Sequence, residues 1–362
     1  MLGMKLFADA YRGRRVLLTG HTGFKGSWLA LWLQELGAEV TGIALPPATE
    51  PNHWDLLKLD IDDRRLDVRD APALEAAMRA VGPEIVFHLA AQPLVRRSYR
   101  DPLETWSTNV MGTANVLEAC RQCASVRAIV AVTTDKCYEN KEWPWGYREN
   151  DRLGGHDPYS ASKASAELVV ASYRKAFFAG SGAPLLATAR AGNVIGGGDW
   201  SDDRLIPDLV RAVGQGAALE IRSPGATRPW QHVLESLSGY LLLGQRLLQG
   251  DATCAKAWNF GPTSEGNRSV ADVLGILGAH WPALRWYLTS QPQPHEATLL
   301  YLDSAMANAE LKWRPVWSLD EALAATAAWY GAWLEQKTLT TRRQLGDFVN
   351  LAKGKGIVWA RP

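Results

Sequence analysis

The chain has 362 residues, 47% hydrophobic and 21% charged, an ordinary balance for a globular protein with room for two regions that share a cleft. A formal net charge of +1 gives no basic field for nucleic acid or an acidic membrane surface, so neither is an expected partner. The opening "MLGMKLFADAYRGRR" lacks a signal-peptide core and no run of about 18 apolar residues occurs, so a cytoplasmic protein is expected.

In chain order, "RRVLLT" (14–19) reads as a strand. "GHTGFKGSWLALWLQELG" then takes helical period, with Trp28, Leu29, Trp32, Leu33 and Leu36 on one face and Gly37 at its end. "AEVTGIAL" is a strand; "DDRRLDV" and "ALEAAMRAVG" are a further strand and helix. "EIVFHLAA" and "VRAIVAV" are buried strands separated by a helix between about 101 and 123. A helix over 158–179 precedes the strand in "APLLATARAGNVIG". This alternation predicts an α/β fold, a Rossmann-type doubly wound parallel sheet over residues 1–192. From 193 to 362 Gly, Pro and Trp rise, as in "RSPGATRPW" and "FGPTSEG". That part reads as a smaller C-terminal substrate domain with helices near 204–215, 234–249, 269–279 and 319–335, some segments of which return to the first domain.

Cys120 and Cys123 form a lone C-x-x-C inside a helical pattern; with Cys137 and Cys254 they read as reduced structural thiols, and no metal is expected. The 16 tryptophans read mostly as packing residues.

Gly20-x-x-Gly23-x-x-Gly26 sits where the first strand meets the first helix. Glycines there permit a tight turn and let backbone N–H groups approach a pyrophosphate at the helix N-terminus. The acid that usually holds ribose hydroxyls at the end of the second strand is missing: the chain reads Gly42-Ile43-Ala44-Leu45-Pro46. Asp67, in "LDVRD", is either a contact for the adenine edge or a solvated loop carboxylate. In "DPYSASKASAE", Tyr159 and Lys163 are four apart on one helical face, after a Pro158 suited to a first turn. A nearby ammonium lowers a phenol's pKa and makes Tyr159 a candidate general base. "TTDKCYEN" places Thr134, Asp135 and Lys136 side by side where a buried strand ends.

GHTGFKG, FHLAAQ, TTDKCY and YSASK, in this order and spacing, resemble the extended short-chain dehydrogenase/reductase family over essentially the whole chain. The resemblance implies NAD as cofactor, held by Gly20, Thr22, Gly23, Phe24, Lys25, Gly26, Asp67, Val68, Leu89, Ala90, Ala91, Tyr159 and Lys163. It implies a triad in which Thr134 bonds a sugar hydroxyl, Tyr159 takes its proton, and Lys163 holds the nicotinamide ribose and lowers the Tyr159 pKa. Within the family, a Thr-Asp pair followed by an ionisable residue resembles the nucleotide-sugar 4,6-dehydratases. By that resemblance Asp135 is the acid at the 6-hydroxyl, and Lys136 stands where the dTDP-glucose enzymes have Glu. Lys136 is then either a neutral base at C5 or a charged stabiliser of the enolate. With "ARAGNVIGGGDW", "DRLIPD" and "RPWQHVLE", the likeness is to the branch acting on CDP-glucose, whose product feeds deoxysugars of bacterial surface polysaccharides. The candidate substrate groups are Gln92, Asn193, Arg204, Leu205, Arg222, Arg228, Trp230 and His232, with His295 and Glu296 weaker. In the family the helices near 101–123 and 158–179 pair across a two-fold axis, so a homodimer is implied.

Overall fold

The computed structural model describes residues 4–282, 284–289 and 299–361, so His295 and Glu296 lie outside the described residues. Its centre is a seven-stranded sheet: β1 (Arg15–Thr19), β2 (Glu39–Ala44), β3 (Asp62–Arg65), β4 (Ile85–His88), β5 (Ala128–Val132), β6 (Leu185–Ala191) and β7 (Ala257–Phe260). The order is β3-β2-β1-β4-β5-β6-β7, and every pairing is parallel. Helices cover both faces, so central strands are continuous apolar runs; each residue of β4 and β5 is buried. The edge strand β3 is Asp-Asp-Arg-Arg, and charge on an edge discourages further pairing.

Helix α1 (Phe24–Glu35) is buried more widely than one apolar stripe predicts, Ala30 and Leu31 included. The reason lies far along the chain. The helix Val233–Leu248 packs beside α1 in the same core, and Phe348 and Trp359 close edge-on over Trp32 at 5.9 and 5.6 Å between ring centroids. The expected single helix between 101 and 123 is three pieces: Pro102–Trp106, a π turn over Ser107–Met111, and α2 (Gly112–Arg121). Buried Asn109 in that turn donates to Gln92 O and Ser162 Oγ at 3.1 and 2.9 Å and accepts from Gln92 N at 2.8 Å. Tertiary bonds thus fix the turn, which no local signal announces. Helix α3 (Pro158–Ala176) follows, capped by the Asp157 carboxylate.

A second apolar cluster gathers residues from 195–230, 270–284 and 319–339, including Trp200, Leu209, Leu277 and Trp329. Between these segments the chain returns to the sheet to lay down Val233–Leu248 and β7, so residue 192 does not divide the molecule into two continuous halves. Trp28, Trp32, Trp258, Trp313, Trp329 and Trp359 are fully buried in the two cores. Cys120, Cys123, Cys137 and Cys254 are free thiols. Among the described residues, no helix is long and apolar enough to cross a membrane, and no cluster of His, Cys, Asp or Glu could hold a metal ion.

Candidate active site

Strand order reverses between β1 and β4, and their C-terminal ends open there into a cleft of about 650 Å³ bounded on the far side by residues 192–230. Gly20 ends β1 with φ +76°, and a Cβ on it would come 2.7 Å from Ala90 N. A Cβ on Gly26 would strike Gly20 O at 2.1 Å, so α1 can start this close to the sheet only with glycine there. Gly23 is the N-cap, no side chain caps it, and the first turn carries no acid. That leaves N–H groups and the helix dipole for a phosphate anion, as a dinucleotide pyrophosphate requires. Thr22, Phe24, Lys25, Asp67, Val68, Leu89, Ala90 and Ala91 line the same end of the cleft. Asp67 is occupied by Arg69 at 2.6 Å, which holds its carboxyl below the usual range.

The missing acid after β2 has a structural counterpart. Gly42 leaves room for the His21 ring, which a Cβ there would meet at 2.4 Å. His21 Nε2 lies 2.9 Å from Asp63 Oδ1, and its ring packs edge-on against Trp54 at 4.5 Å. A buried imidazole thus sits at the glycine turn, and its pKa is pulled down by burial.

Thr134, Lys136, Tyr159 and Lys163 line the cleft floor, and Asp135 is buried between Thr134 and Lys136, behind that lining. Asp135 is 1% exposed; its Oδ1 accepts from Thr134 Oγ1 at 2.9 Å, while its buried Oδ2 has no partner among the described residues. Lys136 Nζ donates to Asn193 Oδ1 at 3.2 Å and lies 3.8 Å from Asp135 Oδ1. Burial pushes the Tyr159 phenol up to about 12, opposed first by a hydrogen bond with Thr134 and then by Arg204. The expected pull of Lys163 is not among the leading influences on that phenol. Lys163 is itself held down to about 8 by burial, against the upward pull of Glu167 and Cys137.

At the far side, Asn193, Arg204, Leu205, Arg222, Arg228 and Trp230 line the cleft. Arg204 is steadied by Asp199 at 3.1 Å, and Trp230 donates to Arg268 O at 2.9 Å. Two expected substrate groups behave otherwise. His232 is fully buried, caps the helix that follows it, and packs edge-on against Trp317 at 4.8 Å, because that helix returns to the sheet and carries its first residue into the core. Gln92 lines the cleft, but its amide is spent on Leu94 N, Leu94 O and Thr105 Oγ1 at 2.6, 3.1 and 2.8 Å, so it shapes a turn.

The sequence reading missed Arg96, which lines the cleft and meets Asp203 at 3.3 Å; Arg222 meets the same carboxylate oxygen at 3.3 Å. The run "VRRSYR" held the only signal, and both Arg96 and Arg97 from it line the cleft. It also missed Tyr240, whose hydroxyl accepts from Lys25 Nζ at 3.2 Å. Lys25 is pushed down to about 7 by burial and then by Arg204, while Asp135 opposes this.

Residues 16–261 match the sequence profile of the NAD dependent epimerase/dehydratase family. Over 352 residues, 94% of this chain and 97% of the other, the sequence is 47% identical to a protein of Salmonella typhimurium named CDP-glucose 4,6-dehydratase. A DesIV double mutant (dTDP-glucose 4,6-dehydratase) from Streptomyces venezuelae, solved with NAD bound, superposes with TM-score 0.74 at 25% identity, covering 88% of this chain and 98% of that one. The fold is also that of epimerase Mth375 from Methanothermobacter thermautotrophicus, with TM-score 0.81 at 24% identity over 94% of this chain and 97% of that one.

Proposed function

The chain belongs to the NAD dependent epimerase/dehydratase family, and from that premise we propose that it is a 4,6-dehydratase converting CDP-glucose to CDP-4-keto-6-deoxyglucose and water. The observation that carries this reading is the Asp135–Lys136 pair beside Thr134, the carboxylate buried with one oxygen uncommitted and the lysine half-buried at the cleft. An epimerase needs the hydroxyl, the phenol and the ammonium; it has no use for two further proton-transfer groups.

Bound at the glycine turn, NAD supplies the hydride acceptor for C4 and the hydride donor for C6, so no net reduced cofactor is released. Thr134 bonds the 4-hydroxyl, Tyr159 takes its proton, and the Thr134 hydrogen bond and the Arg204 charge favour the resulting phenolate. The 4-ketone acidifies the C5 proton. Lys136 Nζ and Asp135 Oδ1 stand 3.8 Å apart, so two proton-transfer groups lie side by side. Asp135 is the acid that protonates the departing 6-hydroxyl, and Lys136 is the group that takes the C5 proton. Water leaves, one proton having been taken from C5 and one given to the 6-hydroxyl. Arg96, Arg204, Arg222 and Arg228 supply positive charge for a diphosphate across the cleft.

The test incubates the purified protein with CDP-glucose and catalytic NAD and follows mass and cofactor absorbance. Loss of one water without net reduced cofactor is expected. An isomer of unchanged mass would sink the dehydratase, and loss of water from another nucleotide sugar alone would sink the cytidine assignment.

The reading includes a homodimer. Leu103 and Met111, on the 102–121 segment, and Leu168, on α3, are exposed apolar residues that a second copy would cover. Sedimentation at a monomer's mass across the micromolar range would count against it.

A further inference from the structure

Behind the catalytic turn lies a side-chain network that the chemistry above does not use. Residues 135–137 form a single 3-10 turn whose own bonds are long: 3.3 Å from Cys137 N to Thr134 O, 3.5 Å from Tyr138 N to Asp135 O, and 3.3 Å from Lys136 N to Thr134 Oγ1. A turn that held itself would show distances of about 2.9 Å. Its two ends are instead fastened to one buried ion pair. Glu167 and Arg190 are each 3% exposed and meet through bonds of 2.9 and 2.8 Å. On the entry side, Thr133 Oγ1 donates to Glu167 at 2.5 Å. On the exit side, Arg190 Nη1 donates to Tyr138 OH at 2.7 Å, and the guanidinium lies 5.0 Å from the Tyr138 ring centre. The Tyr138 hydroxyl donates onward to Asn259 Oδ1 at 2.7 Å, which ties the exit to β7 as well.

We propose that the Glu167–Arg190 pair is a clamp that sets where Asp135 and Lys136 stand, making Glu167, Arg190 and Tyr138 positioning residues for the elimination half of the reaction. The assignment to elimination rests on the dehydratase reading. A buried ion pair is a weak source of stability, because desolvating both charges offsets much of their attraction. A network that joins both ends of one three-residue turn has a geometric use instead. The groups of the first oxidation have other supports: Thr134 directly follows Thr133, whose N–H also bonds Ala189 O in the sheet at 3.0 Å, and Tyr159 and Lys163 ride on α3. Asp135 and Lys136 have the turn and one side-chain bond each, to Thr134 Oγ1 and Asn193 Oδ1. Loosening its exit should therefore slow water loss more than oxidation at C4.

Glu167→Gln leaves Arg190 uncompensated in the interior and threatens folding itself, so Tyr138→Phe carries the test. It removes one hydroxyl and keeps the ring stacked on Tyr147 at 5.2 Å. With CDP-glucose and NAD, turnover should fall about 10- to 100-fold, as misplacement of reacting groups does, with KM nearly unchanged. Reduced cofactor should accumulate during turnover, because water loss has become the slow step. Without substrate, amide hydrogen exchange at residues 136–138 should rise about tenfold or more. Unchanged exchange overturns the clamp. Faster exchange with oxidation and water loss falling equally overturns the positioning role. A wild-type protein that leaves CDP-glucose intact would overturn the functional reading, and the exchange measurement would still decide the clamp.

Discussion

Replacing His232 by Phe should remove a measurable part of the protein's acid sensitivity. The imidazole is fully buried and its Nε2 has no partner among the described residues. Burial pushes its pKa from 6.5 to about 3. The folded state therefore keeps this ring neutral while the unfolded chain protonates it. A group whose folded pKa is depressed contributes stability above its unfolded pKa and loses it as pH falls toward the folded value. For the window between pH 7 and 5, with one pKa unit equal to about 1.4 kcal/mol, the loss comes to about 2 kcal/mol. That is a sizeable share of the 5–15 kcal/mol typical of a folded domain. A Phe ring fills the same slot between Trp28 and Trp317 and titrates not at all. It forfeits the Nδ1 cap on Leu234 N, a bond of 3.3 Å, which should cost about 1 kcal/mol at every pH. Urea unfolding of both proteins at pH 7 and 5, followed by tryptophan fluorescence, compares their pH slopes. The variant should lose about 2 kcal/mol less than the wild type on acidification. Equal slopes would place His232 in solvent and refute its burial.

Three further outcomes follow from the site. Asp135→Asn should slow loss of water by about 10²- to 10⁴-fold, the usual worth of a general acid, while C4 oxidation persists; mass spectrometry with cofactor absorbance separates the two. Tyr159→Phe should abolish the first step instead, so no reduced cofactor forms with CDP-glucose under single-turnover conditions. Gly42→Ala drives a Cβ to 2.4 Å from the His21 ring and should destabilise by about 1–3 kcal/mol, read as a lowered thermal midpoint.

The alternation of strand and helix up to β6 was legible because a parallel sheet buried on both faces demands apolar runs, and β4 and β5 are such runs. The glycine turn and the Tyr159–Lys163 spacing were legible because each is local. What was not legible depends on distant partners. The π turn over 107–111 exists through Asn109 bonding Gln92 and Ser162, residues far away in sequence. Gln92 looked free to meet a ligand because nothing nearby in sequence shows that Leu94 and Thr105 consume its amide. His232 follows Trp230 by two residues, yet only Trp230 faces the cleft, since the helix starting at Val233 pulls its cap inward. The Tyr159 phenol shows the same limit in electrostatics: spacing reveals a nearby ammonium, while burial, which raises the pKa, is a property of the finished fold.

The return of the chain to the sheet between 233 and 260 has a consequence for anyone recombining such proteins. A new second core cannot be joined on at one point, since three separate stretches build it and the stretch between the first two belongs to the sheet. Grafting would have to exchange 195–230, 270–284 and 319–339 together while leaving Val233–Phe260 in place. Drift in substrate preference is accordingly easier by side-chain replacement on a standing wall than by shuffling whole modules.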